Sequence, residues 1–241
     1  MKTTSLIIMA AFFLLCCKKT EVTTPNIPMV KTEELKSYTH GNLTDNSKLT
    51  YTYDTQQRVV SKITQNMLNG VTTTSTYDYS TPNEVKELQS GGVNKTYYLD
   101  VNGRATQLKL GTFVSANYTY DANGYLLTVG DAQNSSTYTY TNANPTEKKT
   151  LLIAQNQVTG IEQYSYNSLP NTVSSQNKGL NIFGKASANF FASRSVVLGP
   201  ILFVDTYSSG YDSNNLLTTY SWSRIGGNSG LSFVANYTYY P

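Results

Sequence analysis

The chain has 241 residues and a formal net charge of +3, and only 14% of its residues are charged. So weak a positive charge excludes the basic surface of a nucleic-acid-binding protein, and we expect no nucleic-acid partner. The 20 tyrosines favour β-structure over disorder, because aromatic residues suit the half-buried, pleated surface of a sheet.

An export leader is predicted for residues 1–16. The apolar run Leu6–Leu15 is too short to span a bilayer, which takes ~20 helical residues, and it has the length of a signal-peptide core. The run leads into Leu14-Leu15-Cys16-Cys17, which resembles the lipobox of bacterial lipoproteins. Cys16 is the small residue that this box requires before the cleavage point, so we predict that Cys17 carries the lipid.

Lipidation of Cys17 makes the membrane the first expected partner. Each buried CH₂ of a palmitate-like chain contributes ~0.8 kcal/mol, so two or three chains anchor a protein durably. No Asp follows Cys17 to retain the protein at the inner membrane. The expected location is therefore the outer membrane, on its periplasmic or its outer side. Because Cys16 leaves with the leader, no cysteine remains for a disulfide, a thiolate metal site or a nucleophile.

The remaining chain divides into a tether and one domain. Residues 17–35 are predicted as the lipidated cysteine and a flexible spacer, since Pro25 and Pro28 stand there among polar residues without apolar periodicity. Residues 36–241 are predicted as a single domain, because they are enough for one substantial core.

A short tyrosine phrase recurs through this domain, and in most of its copies two tyrosines flank one residue. Its copies include Tyr51-Thr52-Tyr53-Asp54, Tyr77-Asp78-Tyr79-Ser80, Tyr97-Tyr98-Leu99-Asp100, Tyr118-Thr119-Tyr120-Asp121, Tyr138-Thr139-Tyr140-Thr141, Tyr164-Ser165-Tyr166-Asn167 and Tyr237-Thr238-Tyr239-Tyr240. Recurrence at a regular spacing is typical of a stacked or meandering array. In a strand, this alternation places both tyrosines on one face and the residue between them on the other.

Turn residues follow the phrase, as in Asp100-Val101-Asn102-Gly103, and a second β-rich stretch comes next, as in Tyr125–Val129. We therefore predict an all-β fold in which tandem antiparallel hairpins form a β-meander of roughly 12–16 strands. The meander is expected to curl into a soluble barrel or half-barrel, because the Thr and Ser residues that alternate with tyrosine suit a lipid-facing wall poorly. One short turn at Thr32–Ser37 is the only helical expectation.

The segment Leu180–Val204 departs from the repeat because it is apolar and low in charge. It is interpreted as a buried crossing, a plug or a pair of long inner strands, with burial in the core as the favoured outcome. A binding or membrane-contact surface is the alternative.

The phrase Tyr-x-Tyr-Asp-x-x-Gly resembles the YD repeat of Rhs and toxin-shell proteins. Together with the lipobox, the tether and the late apolar segment, residues 49–241 resemble a YD-repeat-like family of Gram-negative lipoproteins of unknown function, described as having a porin-like fold. The resemblance implies a curved or closed antiparallel sheet, and it implies no known activity.

Residue combinations that carry catalysis are sparse, so we predict that the protein is not an enzyme and holds no metal or cofactor. His40 is the single histidine, and no nucleophile-elbow sequence accompanies it. Glu84 and Glu87 should point to opposite faces of a strand and cannot flank one glycosidic bond. Four acidic residues occupy turns, one to a turn, where local hydrogen bonding accounts for them better than calcium does: Asp54, Asp100, Asp121 and Asp212.

The tyrosines are predicted chiefly as packing residues, with contact to a ligand as the alternative. Planar aromatic rings on a concave sheet stack on sugar rings while their polar atoms form hydrogen bonds. The candidate contact residues are Tyr118, Tyr120, Tyr138, Tyr140 and the single tryptophan, Trp222.

The sequence leaves three functions open. The first is a non-catalytic binding or interaction module of the cell envelope, with a polysaccharide as the candidate ligand, and it predicts tyrosines on an open face. The second is a structural or assembly lipoprotein with a protein partner, which predicts buried tyrosines and an exposed apolar patch, for example within Phe190–Phe203. The third, least favoured, is a hydrolase, which requires acids that converge in a pocket.

Overall fold

The structure, a computed structural model, describes residues 28–227 and 230–241. The predicted leader, Cys17 and most of the tether lie outside the described residues. Sixteen strands account for most of the described chain. They are β1 (Val30–Thr39), β2 (Asn42–Tyr53), β3 (Val59–Asn66), β4 (Thr72–Asp78), β5 (Glu84–Gln89), β6 (Lys95–Leu99), β7 (Ala105–Leu110), β8 (Phe113–Tyr120), β9 (Leu126–Gly130), β10 (Asn134–Thr141), β11 (Asn144–Leu152), β12 (Gln157–Pro170), β13 (Asn189–Leu198), β14 (Ile201–Tyr211), β15 (Leu217–Gly226) and β16 (Leu231–Tyr239).

The strands form one closed ring. Each pairs antiparallel with the strands before and after it, and β1 pairs with β16 to complete the barrel. The predicted all-β meander is therefore confirmed, as a closed barrel and not a half-barrel. β1 and β16 close the ring and one core cluster lines it, so the described residues form a single closed barrel.

Two details of the sequence interpretation were wrong. The barrel begins at Val30, so the predicted tether end at residue 35 falls inside β1. Thr32–Ser37 belongs to the same strand, because pairing with both β2 and β16 outweighs its local helical pattern. Among the described residues the only helical elements are single 3₁₀ turns at Ile153–Gln155 and Asn181–Phe183. None of the described helical segments has the length and apolarity to cross a membrane.

The repeat places its tyrosines inside the barrel. Tyr51 and Tyr77 are buried in the core cluster, and Tyr53 and Tyr79 pack against it. The residues between or beside them, such as Thr52, face outward and are exposed. The predicted division of faces is thus seen, and the outer wall is largely hydroxyl-bearing.

A recurring hydrogen bond explains why the second tyrosine is needed. In five of the eight hairpins, a tyrosine hydroxyl on or just after the even-numbered strand donates to a carbonyl at the start of the strand before it, and so fastens the two strands together. The bonds are Tyr53 to Val30 O (2.6 Å), Tyr79 to Val59 O (2.9 Å), Tyr120 to Ala105 O (2.9 Å), Tyr166 to Pro145 O (2.6 Å) and Tyr239 to Leu217 O (2.8 Å).

The aspartates after the tyrosines close the turns. Oδ1 of Asp100 accepts from the backbone N–H of Asn102 and Arg104, at 2.8 and 2.9 Å, while Nε of Arg104 donates to Oδ2 at 2.9 Å. The Arg104 guanidinium then lies 4.9 Å from the centre of the Tyr120 ring on the next hairpin. Asp54 and Arg58 repeat this arrangement. In these two turns the arginine thus holds the tyrosine ring of the following hairpin in place.

One end of the barrel is closed by residues 171–188, named here the plug. A ring of sixteen strands is too wide for wall side chains to fill, and the plug ties several strands and turns together. Its hydrogen bonds join Asn177 O to Val30 N (3.0 Å), Gly179 O to Val59 N (3.2 Å), Lys185 N to Gly124 O (2.8 Å), Ala188 N to Ala143 O (3.2 Å) and Thr172 Oγ1 to Leu217 N (2.9 Å).

The segment Leu180–Val204 therefore has three parts. Its first residues belong to the plug, where Ile182 is buried. The middle part forms β13, and the last part forms the beginning of β14. Phe190, Val196 and Phe203 are buried as predicted, whereas Leu198 and Leu202 are exposed at the hairpin tip. The segment is thus core only in part.

The two ends of the barrel differ. The plugged end holds the plug and the aspartate turns, and it is where β1 begins. At the other end, named here the open end, the described connections are short turns and none crosses the lumen. These turns follow β1, β3, β5, β7, β9, β11, β13 and β15.

We expect the replacement Tyr120→Phe to lower the free energy of unfolding by about 1 kcal/mol, because the carbonyls of Ala105 and Ile182 lose their hydroxyl donor. Urea unfolding measures the change. Tyr98→Phe is the matched control, since the Tyr98 hydroxyl makes no hydrogen bond among the described residues, and it should change stability by much less. Equal losses in the two variants would contradict the role of the recurring bond.

Candidate functional site

The five predicted contact residues do not form one site. Tyr118 and Tyr120 lie on β8, and Tyr138 and Tyr140 on the nearby β10, whereas Trp222 lies on β15, nearly opposite in the ring. Along each strand, all five side chains point inward and their exposed neighbours point outward. The five therefore line the interior and not an outer concave face.

Most of these rings pack against other aromatic rings. Tyr118 meets Phe183 of the plug with ring centres 6.1 Å apart, and Trp222 stacks on Phe233 at 6.3 Å. Tyr140 packs on Tyr125 at 5.1 Å. Burial raises the pKa of Tyr140 to about 12, so its hydroxyl stays protonated at neutral pH. These contacts give the rings a packing role.

Charged residues line the lumen beyond the tyrosines, and the sequence interpretation missed most of them. Glu87 is buried between Lys62 and Lys95, at 3.5 and 3.1 Å. Glu84 pairs instead with Lys86, at 3.7 Å. Burial raises the pKa of Glu87, but the hydrogen bond from Lys95 and the charge of Lys62 outweigh it and hold that pKa below its usual value.

A longer ion-pair network lies across the lumen on β11–β15. Asp205 is fully buried and accepts from Arg194 at 2.6 Å and from Arg224 at 2.8 Å. Arg194 also reaches Glu162, at 3.3 Å, which Lys148 holds at 2.7 Å. Burial raises the pKa values of Asp205 and Glu162, yet their cationic partners lower them below the usual range.

These carboxylates are poorly suited to catalysis. A general acid needs a carboxyl pKa raised toward neutrality, whereas Glu87, Glu162 and Asp205 have lowered pKa values and two cationic partners each. His40 is exposed in the β1–β2 turn at the open end. No group of three or more His, Cys, Asp or Glu side chains converges within residues 28–227 and 230–241.

A polar cleft of about 540 Å³ opens at the plugged end, between the turns after β6 and β8 and the plug. That volume lies within the range of small-molecule sites. Its polar side chains are Asn102, Arg104, Asp121, Asn123, Gln176, Asn181 and Lys185. Carboxylate, amide and cationic groups thus meet in one place, which supplies both donors and acceptors to a ligand.

Asp121 and Asp212 differ from the other turn aspartates, and of the two only Asp121 lines the cleft. Its Oδ1 accepts from the N–H of Tyr125 at 2.8 Å, as the turn requires. At the position where Arg58 and Arg104 stand in the equivalent turns, the chain has Tyr125. Oδ2 of Asp121 accordingly has no hydrogen-bond partner among the described residues and remains available to a ligand. This departure from the repeat is a sequence signal that could have singled out two turns, those of Asp121 and Asp212, as candidates.

The plug is held tightly against this turn. Gly184 has a φ of +73°, and a Cβ at that residue would lie 2.5 Å from the carbonyl oxygen of Gly124. Gln176 donates to Gly184 O at 3.1 Å and so fixes the plug's own bend. Tyr120 supports the cleft from below, since its ring carries the Arg104 guanidinium. Of the predicted contact residues, Tyr120 therefore comes closest to this site.

Solved structures show the same fold. A porin-like protein from Bacteroides uniformis matches with a TM-score of 0.65 and 14% identity, covering 88% of this chain and 98% of its own. A porin-like protein from Bacteroides vulgatus matches with a TM-score of 0.55 and 12% identity, covering 89% and 99%. At such identities the likeness shows the fold alone.

No family model matches the sequence, and no relative is found among curated proteins. The porin-like fold that the sequence resemblance implied is thus seen, whereas membership of the YD-repeat-like lipoprotein family stays a prediction.

We expect the free energy of unfolding to fall as the pH drops below about 4. The pKa values of Asp205 and Glu162 are lowered in the fold, so their contribution is present above the unfolded-state pKa and is lost as the pH falls through the folded one. Asp205→Asn should lower stability at pH 7 by about 3 kcal/mol, because it leaves Arg194 and Arg224 unpaired, and should weaken the acid dependence.

Chemical denaturation at several pH values tests this expectation. Glu34→Gln is the control, since the Glu34–Lys36 pair is solvent-exposed on the outer wall and should contribute little. If Asp205→Asn were as stable as the wild type at pH 7, the lumen network would make no contribution to the free energy of unfolding.

Proposed function

We propose that this protein is a lipid-anchored, non-catalytic binding protein of the outer membrane, and that its plugged-end cleft holds a hydroxyl-rich ligand such as a glycan. The observation that carries the proposal is the free Oδ2 edge of Asp121 in a cleft with Arg104 and Lys185.

The chemistry of the cleft suits sugar hydroxyls. A carboxylate edge accepts two hydroxyl hydrogens, the cations donate to hydroxyl oxygens, and the side-chain amides of Asn102 and Asn123 do both. A hydroxyl-rich ligand can therefore replace the water that these groups otherwise bind. Polar atoms contribute more of the cleft surface than apolar atoms do, so a polar ligand is favoured over a lipid or an aromatic compound.

The interior supports a role without catalysis. Its buried carboxylates are already paired with Lys or Arg, and the cleft offers Asp121 without a second carboxylate to complete an acid–base pair. The hydroxyls of Tyr120 and Tyr166 are occupied by carbonyl oxygens. The remaining groups can bind a ligand and have no evident means of transforming it.

The outer-membrane location and the anchor are supported by the lipobox at Cys17, and the porin-like fold is compatible with the cell envelope. A structural lipoprotein with a protein partner is the second candidate. It predicted buried tyrosines and an exposed apolar patch. Tyr51 and Tyr77 are buried, and apolar side chains are exposed at the β13–β14 tip, at Leu198, Ile201 and Leu202.

We expect a matching glycan to raise the midpoint of thermal unfolding. At a hundred times its dissociation constant, a ligand stabilises the protein by ~2.7 kcal/mol. A panel of envelope and dietary polysaccharides is the probe. Asp121→Asn should weaken the affinity for the glycan about tenfold, because an amide group that donates replaces the free carboxylate oxygen.

Asp212→Asn is the matched control for this experiment. Asp212 closes its turn through Oδ1 in the same way, from the N–H groups of Asn214 and Leu216, but it does not line the cleft. Its response to glycan should equal that of the wild type. A stabilising glycan whose effect is unchanged in Asp121→Asn would place the binding site elsewhere.

We expect cells supplied with labelled palmitate to incorporate it into the wild-type protein and not into Cys17→Ala. Cys16→Ser keeps a small residue before the cleavage point and should still be labelled. Label on Cys17→Ala, or its absence from the wild type, would refute the anchor and leave the binding proposal to the glycan test.

A further inference from the structure

Exposed apolar side chains gather at the open end. They occur beside most of its turns: Met67 and Leu68 after β3, Val93 after β5, Phe113 after β7, Ile153 after β11, Leu198 at the end of β13, Ile201 at the start of β14, and Ile225 near the end of β15. Phe113 and Ile225 are each 67% exposed, although they stand on nearly opposite sides of the ring. At the plugged end, the turn residue with a strongly exposed apolar side chain is Val101.

Charge has the reverse distribution. Among the described turns of the open end, Asp131 is the only formally charged residue, and its carboxylate is used to cap its own turn. The plugged end carries the turn aspartates with Arg58, Arg104, Lys178 and Lys185. One end of the barrel is therefore apolar and nearly uncharged, and the other is polar and charged.

We infer that the open end rests on a lipid bilayer, with its apolar turn tips inserted into the interfacial region. This inference concerns a surface that the proposed ligand cleft does not use. Apolar side chains at the boundary between headgroups and acyl chains are a common mode of peripheral attachment.

The distribution of the tips favours a bilayer over a protein partner. A protein interface usually forms one compact patch on one side of a molecule. Here, tips from opposite sides of the ring project from the same end, and only a broad, flat surface can meet them together. The near absence of charge fits the same surface, because a tip that enters the interface must shed its water.

The chain before the barrel is long enough for this orientation. Residues 18–29 can span at most about 40 Å. A strand of 10 residues such as β1, tilted as barrel strands are, rises about 25 Å. A lipid at Cys17 can therefore reach the bilayer below the open end although β1 starts at the plugged end. The ligand cleft then faces away from the membrane.

The test uses the chain from Lys18 to Pro241, which contains the whole closed domain and carries no lipid. Flotation with vesicles of phosphatidylethanolamine and phosphatidylglycerol (3:1) should show binding that persists at 0.5 M salt. The double variant Phe113→Ser/Ile225→Ser should bind at least tenfold more weakly. Val101→Ser removes an apolar side chain that is 99% exposed at the plugged end, and it should bind as the wild type does.

A second measurement identifies the occupant. This chain has no cysteine, so Phe113→Cys, Ile225→Cys and Val101→Cys each take a single fluorophore. Lipids brominated on the acyl chain should quench the label at 113 and at 225, and should leave the label at 101 unquenched. Absence of flotation, quenching at only one side of the ring, equal quenching at 101, or a dimer that forms through 113 without vesicles would each overturn the inference.

Discussion

The width of a closed ring of sixteen strands is the constraint on which the rest of this structure depends. Wall side chains cannot fill such a lumen. The polar backbone and charged groups that face this wide interior therefore need hydrogen-bond or ion-pair partners. In five of the eight hairpins a tyrosine hydroxyl fastens the two strands through a carbonyl, and the plug covers one end. Glu87, Glu162 and Asp205 in the lumen are each held by two cations, which compensates for their removal from water.

The sequence predicted the fold because the repeat expresses it locally. Alternation of tyrosine with Thr or Ser fixes which side faces inward, and an aspartate turn fixes where a strand reverses. Ring closure was less accessible, since the β1–β16 pairing joins residues at the two ends of the domain and leaves no local trace. For the same reason β1 was mistaken in part for tether: its partners, not its own pattern, make Val30–Thr39 a strand.

The candidate site was harder to predict than the fold. Asp121 has the same sequence signature as Asp100, and only the absence of an arginine four residues later distinguishes them. That difference points to a site only once the structure shows that the plug, which comes much later in the chain, packs against this turn and places Lys185 beside it. The lumen ion pairs were missed because their members come from separate strands, and Trp222 was grouped with distant tyrosines because spacing alone does not show position around a ring.

The two ends of the barrel are separated along the chain by a simple rule, since successive turns alternate between them. The turn after β2 faces the plugged end, and the turn after β3 faces the open end. Residues in one class of turn can therefore be replaced without altering the other class. The aspartate turns combine into a polar end that can hold a ligand, while the alternate turns keep Met67, Phe113 and Ile225 exposed. A barrel built from such hairpins can face two different environments at once, and the order of its turns already assigns each surface to one of them.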